Sequence, residues 1–289
     1  MKSINPKIKI TISMIIWGSL GVFVTRLSLP TEQIVLFRAA IGCLALFLIL
    51  LCKGKTKSKI STGSFLLLLL IGAMIGLNWL MLFESYKYTY VSTATLIYYS
   101  QPIILIILST LFLKEKLTKN RIIGVLMAII GMILINGLQV GGADPKKGAI
   151  IALGGAFLYA MVLFLNKANP GLGKIDGMTL TVIELLGATL IMIIYTIATS
   201  GIKFTNIGKN DIIILLILGI VHTAWTYYLY FSSVKAVDAQ SLAVLGYIDP
   251  ASSLFFSALI LHEKLGILQW AGAILILGGA LYSQIKAKK

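Results

Sequence analysis

The chain has 289 residues, 58% of them hydrophobic and only 12% charged, with a formal net charge of +15. A soluble domain carries roughly twice that charged fraction, so the composition excludes a water-facing globule. It also excludes nucleic acid as a partner: the basic residues sit between apolar stretches, not along a groove interleaved with aromatics.

A bilayer core takes roughly 20 apolar residues per helix. Runs of that kind occur at 8–26, 33–52, 64–85, 92–113, 121–139, 148–167, 177–199, 211–232, 240–261 and 266–283. The first is followed by equally apolar stretches down to the last residues, so it reads as a retained helix and not a cleaved signal. Backbone groups in hydrocarbon must satisfy one another, so these runs predict helices, and the fold class is an all-α membrane protein of ten transmembrane helices. Cys43 and Cys52 share one apolar segment; neither a disulfide framework nor a CxxC motif exists. Lys and Arg gather in 1–9, 53–59, 114–121 and 286–289, with Lys167, Lys174 and Lys235 on the same side of the alternation. That bias predicts a multi-pass protein of the cytoplasmic membrane with both termini cytoplasmic.

Displacing the chain by 148 residues aligns 83–131 with 231–279 without a gap. Identities include Phe83/Phe231, Lys87/Lys235, Tyr99/Tyr247, Pro102/Pro250, Glu115/Glu263, Gly124/Gly272 and Gly131/Gly279. Apolar bias does not generate matched Pro, Gly, Glu and Lys, so the chain reads as a duplication with one five-helix repeat over 1–144 and another over 145–289. An odd number of spans makes the second copy enter from the opposite face. Lys-Glu-Lys-Leu at 114–117 is then inside and His-Glu-Lys-Leu at 262–265 outside. Inverted repeats of this kind are the architecture of many secondary transporters.

The same residues carry a family resemblance. Trp17-Gly18 in the first span precedes Arg38 in the second; then come a mid-span proline, a downstream Glu-Lys-Leu and a further glycine, these last elements occurring twice. The whole chain resembles the EamA family of the drug/metabolite transporter superfamily in its ten-helix form. The resemblance implies a central cavity lined by spans 1–4 and 6–9, with spans 5 and 10 set apart. It also implies that amino acids or related metabolites are carried, with export the commonest direction.

Polar groups at membrane depth are costly and are functional candidates by default. Pro102 and Pro250 lie near the centres of spans 4 and 9, where each removes a backbone donor and permits a bend; a static kink is the plain alternative. Gln101 and Asp249 precede them at equivalent positions, and a carboxyl that cycles between neutral and charged forms is what proton coupling requires. Glu184 in span 7 is a second buried carboxyl whose rough counterpart is Arg38, so the two are a candidate ion pair across the repeats. Arg38 also offers a bidentate donor set for a substrate carboxylate. His222 suits proton shuttling, although a lone histidine is more often a satisfied hydrogen-bonding group. Trp17, Asn78, Trp79, Tyr98, Tyr99, Tyr159, Trp225 and Tyr247 complete the candidate lining, available for stacking or cation–π contact with an amine. Glu84 and Lys87 read as a local helix-end pair. Gly72 and Gly76 form a GxxxG better explained by close helix packing.

The expected activity is secondary active transport of small metabolites by alternating access. No Walker motif, HExxH, GxSxG or DDxxD-like set is present, so neither ATP hydrolysis nor a membrane-embedded lipid enzyme is favoured. A lipophilic-amine or multidrug exporter is the alternative within the same superfamily. No catalytic residue, cofactor or metal site is expected; a proton gradient is the candidate drive. Partners are the solute and membrane lipids, with the chain a monomer or homodimer.

Overall fold

The computed structural model describes residues 4–24, 26–52, 60–137, 141–201, 207–260 and 266–283. The basic clusters at 53–59 and 286–289, and His-Glu-Lys-Leu at 262–265, lie outside them. The described residues form helices joined by turns and short connections, with no strand among them. Eight helical stretches are long and apolar enough to cross a membrane. In chain order the helices are α1 (Pro6–Val24), α2 (Thr31–Cys52) and α3 (Thr62–Ser85), then α4 in two pieces, α4a (Val91–Tyr98) and α4b (Gln101–Phe112). α5 (Lys119–Asn136), α6 (Pro145–Ala168), α7 (Gly177–Thr199) and α8 (Lys209–Val234) follow. α9, again in two pieces, α9a (Ala239–Gly246) and α9b (Ile248–Ile260), leads to α10 (Ile267–Ser283), which is 17 residues long.

Short polar residues set the helix starts. Asn5 accepts from the Lys7 amide ahead of Pro6, Asp144 from Lys147, Asp176 from Met178, and Asp238 from Ser241. Each such cap contributes roughly 1 kcal/mol. The outer faces are apolar: Leu111, Ile150, Ile194 and Leu281 are all more than 60% exposed, which suits hydrocarbon as the solvent.

Glycines let the helices meet closely. A Cβ at Gly72 would fall on the backbone carbonyl of Glu184, and one at Gly76 would lie 2.7 Å from Ile191, so the GxxxG sets α3 against α7. α5 and α10 pair along their lengths. A Cβ at Gly124 would lie 2.7 Å from the Gly279 carbonyl, and one at Gly131 would lie 2.6 Å from the Gly272 carbonyl. Advancing along α5 therefore means retreating along α10, and the two helices are antiparallel.

Both α4 and α9 break where the mid-span prolines were expected to act. The interruptions fall at Tyr99-Ser100 and at Tyr247, with Pro102 and Pro250 early in the second pieces, where a missing amide costs least. The two tyrosines at the breaks touch: the Tyr247 hydroxyl donates to the Tyr99 carbonyl at 3.2 Å.

Candidate functional site

Between the two breaks lies a cavity of about 410 Å³. It is walled by Trp17 of α1, Arg38 of α2, Trp79 of α3, Tyr98, Tyr99 and Gln101 of α4, Tyr159 of α6, Tyr227 and Tyr230 of α8, and Asp249 of α9. It extends toward the end of the bundle formed by Val24, Tyr86 and Thr95. A larger groove of about 570 Å³ lies on the flank between α1, α9 and α10, but only Thr11 and Ser252 among its lining residues are polar. Solute recognition needs convergent polar groups in a concave site, which favours the smaller cavity.

Arg38 is almost fully buried, with its guanidinium carbon 4.2 Å above the Trp79 ring centroid and its Nε donating to Thr223 Oγ1 at 3.3 Å. A guanidinium over an indole face is an attractive arrangement that leaves its edge free for an anion. On the other wall, Asp249 accepts a hydrogen bond from the Tyr99 hydroxyl at 3.1 Å. No ion pair of Arg38 or Asp249 occurs among the described residues. The Gln101 amide oxygen and the Ser100 hydroxyl are buried at the α4 break and lack partners among the described residues. The cavity thus presents one cation, one carboxyl and the Gln101 side chain between aromatic walls.

Other groups hold this lining in place. Asn78 exchanges hydrogen bonds with the Tyr98 hydroxyl at 3.0 and 3.1 Å and donates to the Gly155 carbonyl at 2.7 Å, tying α3, α4 and α6 together behind the cavity. The rings of Tyr98 and Tyr159 lie nearly parallel, at 7°. Trp17 donates from its indole to the His222 carbonyl at 2.9 Å, and the His222 ring meets Ser19 Oγ at 2.9 Å. His222 belongs to a π-helical stretch, Leu218–Trp225, in the middle of α8. Thr223 and Thr226 each donate to the carbonyl five residues back, the spacing of the widened turn. Such stretches often mark functional sites.

Several candidates sit elsewhere. Trp225 is 55% exposed and faces away from the cavity, because it is two residues, about 200°, out of phase with Tyr227 on a helix. Glu184 does not pair with Arg38; it is fully buried outside the cavity and accepts from Asn166 at 2.6 Å. Asn78, His222 and Tyr247 lie behind the lining and not in it. The Glu84–Lys87 pair forms at 2.7 Å. Tyr230, Thr223 and Ser19 were not singled out from sequence, although positions 223, 227 and 230 follow helical spacing and mark the inner face of α8.

A family model for the EamA-like transporter family matches residues 8–137 and again 146–283. The chain belongs to the EamA-like transporter family. Its relatives include a Bacillus subtilis (strain 168) protein named as the uncharacterized transporter YxxF, 26% identical over 96% of this chain and 89% of that one. A second B. subtilis protein, the uncharacterized transporter YojE, is 26% identical over 96% and 94%. The Escherichia coli (strain K12) protein RarD is 25% identical over 81% and 79%. A solved crystal structure superposes with a TM-score of 0.84 over 96% of each chain at 17% identity, which shows a shared fold.

In this EamA-like transporter the end opposite Tyr86 and Thr95 is closed by polar contacts. Arg121, at the start of α5, makes an ion pair with Asp238 at 2.8 Å and donates to Gln240 Oε1 at 2.6 Å. Lys167, near the end of α6, pairs with Glu115 at 3.4 Å and donates to the Val237 carbonyl at 2.7 Å. Glu115 also accepts from the Ala239 amide at 3.1 Å, and Lys235 Nζ donates to the Asn169 carbonyl. Burial pushes the Asp238 carboxyl up, but the Ser241 amide and hydroxyl, with Arg121, outweigh it and hold the group below its ordinary value. Burial, helped by nearby Lys167, pushes the Lys235 ammonium down. In the sequence Arg121 and Lys167 read as topology charges, and Glu115 and Lys235 as positions matched between the repeats.

Proposed function

We propose that this transporter moves small zwitterionic metabolites, amino acids or close relatives, out across the cytoplasmic membrane by alternating access. The observation that carries the reading is the cavity with Arg38 and Asp249 both unspent on ion pairs and set among aromatic rings. The solute carboxylate docks on the Arg38 edge, where two parallel donors suit it. Its ammonium docks on Asp249, and its side chain rests among the rings of Trp17, Tyr98 and Tyr159. Trp17, Arg38, Trp79, Tyr98, Tyr99, Gln101, Tyr159 and Asp249 contact the solute; Asn78, His222 and Tyr247 act from behind it.

The chain works as ten spans in two inverted halves, 1–144 and 145–289, with both termini cytoplasmic. The crossing of α5 and α10 supports the inversion. In the 148-residue register Gly124 corresponds to Gly272 and Gly131 to Gly279, and the contacts Gly124–Gly279 and Gly131–Gly272 exchange under that correspondence. Equivalent helices that pack antiparallel in this way are related by a two-fold axis in the membrane plane. With that orientation the end held by Arg121 and Lys167 faces the cytoplasm, and motion about the breaks at Tyr99 and Tyr247 exchanges the open and closed ends.

Counterflow of labelled amino acids and of a lipophilic amine into proteoliposomes tests the substrate class. Arg38→Gln should abolish zwitterion exchange, and Asp249→Asn should impair it as well, since each removes one of the two charges that hold the solute. The aromatic walls beside Asp249 favour one second reading, a lipophilic-amine exporter. In that case Arg38→Gln spares transport and the amine alone is carried. A protein that exchanges neither class refutes both.

A further inference from the structure

Glu184 is the buried ionisable group for which the solute cavity has no use. It sits in the first half of α7 with no exposed surface. One oxygen accepts from the Asn166 amide at 2.6 Å; the other has no partner among the described residues. Asn166 itself is held by α6, donating to the Val162 carbonyl at 3.2 Å. α3 seals the site from the other side, since its Gly72 lies against the Glu184 backbone too closely for any side chain.

The charges around it are turned elsewhere or distant. From α2, Arg38 lines the solute cavity over Trp79 and makes no ion pair with Glu184, and Cys43 Sγ contacts the Val182 carbonyl at 3.7 Å. From α8, Tyr227 lies within electrostatic reach. α3 supplies no ionisable group except Glu84 at its far end, paired with Lys87. α6 supplies Asn166, with Lys167 next in the chain turned to Glu115. A carboxylate sealed from water with one neutral donor and no cation is far more costly than a neutral acid in the same place. One carboxyl and one amide also fall short of the oxygen cage that a metal cation takes, and no cluster of metal-ligating side chains occurs among the described residues.

We infer that Glu184 and Asn166 form a proton-binding site separate from the solute cavity, loaded in the conformation described and discharged when the closed end opens. The link is one residue long. Asn166 holds Glu184, and Lys167 holds Glu115 and the Val237 carbonyl in the closure. Opening that end displaces the end of α6 and admits water, to which the carboxylic acid gives its proton, leaving a carboxylate. Closing it requires the proton back. This goes beyond the amino-acid reading and does not depend on which solute is carried.

Infrared difference spectroscopy of the full chain in lipid bilayers, stepped in pH, tests it with no transported solute present. Wild type should show the C=O stretch of an un-ionised carboxylic acid at neutral pH. Glu184→Gln should lose that band, and Asp249→Asn should keep it. Should Glu184→Gln fail to fold, Asn166→Ala retains the acid and must shift the band by removing its donor. Four results would each overturn the proposal: no such band in wild type, persistence of the band in Glu184→Gln, an unshifted band in Asn166→Ala, or removal of the band by sodium at constant pH. A failed counterflow assay with an intact Glu184 band refutes the substrate reading alone.

Discussion

Arg121→Gln is the sharpest perturbation of the closed end. Arg121 supplies two of its contacts, the 2.8 Å ion pair to Asp238 and the 2.6 Å bond to Gln240. The pair is partly exposed, at 21% and 33% for the two side chains, so solvent screening reduces it below a buried one. Charge-assisted hydrogen bonds contribute about 1.5–3 kcal/mol, and exposed pairs about 0–1 kcal/mol. A loss of about 1–2 kcal/mol from the closed form lies between, and it multiplies the open population by about 5 to 30. Ala239 is fully buried beneath the closure, so Ala239→Cys, with Cys43 and Cys52 replaced by alanine, supplies a single thiol that reports opening. Alkylation of that thiol by a maleimide in membranes should accelerate by the same factor in Arg121→Gln. Arg121→Lys, which keeps the charge without the fork, should fall between. An unchanged rate in Arg121→Gln refutes the role of these contacts in closure.

Two further outcomes follow from the same contacts. Gly72→Ala places a methyl on the Glu184 carbonyl; overpacking of this kind costs about 1–3 kcal/mol and should lower the melting temperature in detergent. Gly63→Ala, which meets no atom within 4 Å, should leave it unchanged, and equal melting of both variants would refute the close α3–α7 contact. The pH dependence of closure has a defined sign. Asp238 is held below its ordinary value, so its contribution is present above that value and is lost as pH falls through the lowered one. In a Glu184→Gln background, alkylation of the Ala239→Cys reporter, corrected for thiolate content, should be flat from neutral pH into mild acid and rise only below the ordinary carboxylate range. A rise near neutral pH would point to a different titrating group in the closure.

The helices and their breaks were legible because their causes are local. Long apolar runs and two prolines at one register act through neighbouring backbone, and a 148-residue displacement exposes the prolines. The glycines were legible too: Gly124, Gly131, Gly272 and Gly279 recur at fixed spacing because backbone contact between α5 and α10 tolerates no side chain. Helical phase was harder to read. Trp225 is as aromatic as Tyr227, and only its angle about α8, within a π-helical stretch, turns it outward. Pairing was hardest. Register suggested Arg38 with Glu184, but Arg38 is taken by Trp79 and Glu184 by Asn166, and nothing in α2 or α7 alone encodes those choices. Arg121 and Lys167 were hidden for another reason: a loop charge that orients a helix in the membrane looks the same in sequence as one that closes a cavity.

The repeat register makes the two ends of the molecule chemically unequal. Arg121, Asp238 and Gln240 close one end; displaced by 148 residues, the corresponding positions hold Gln269, Tyr90 and Ser92. A two-fold exchange of open and closed ends would therefore rebuild the closure without its arginine and aspartate. This pair therefore favours the conformer closed at the Arg121 end, and the imbalance resides in side chains that substitution can graft. Gln269→Arg with Tyr90→Asp gives the other end its own ion pair, worth about the same 1–2 kcal/mol to the alternative conformer. Alkylation of the Ala239→Cys reporter should then rise by about 5- to 30-fold with Arg121 untouched, and adding Arg121→Gln should raise it further. If the double graft leaves the rate where it was, the two ends do not exchange as the register requires, and the resting conformation is held by something other than this closure.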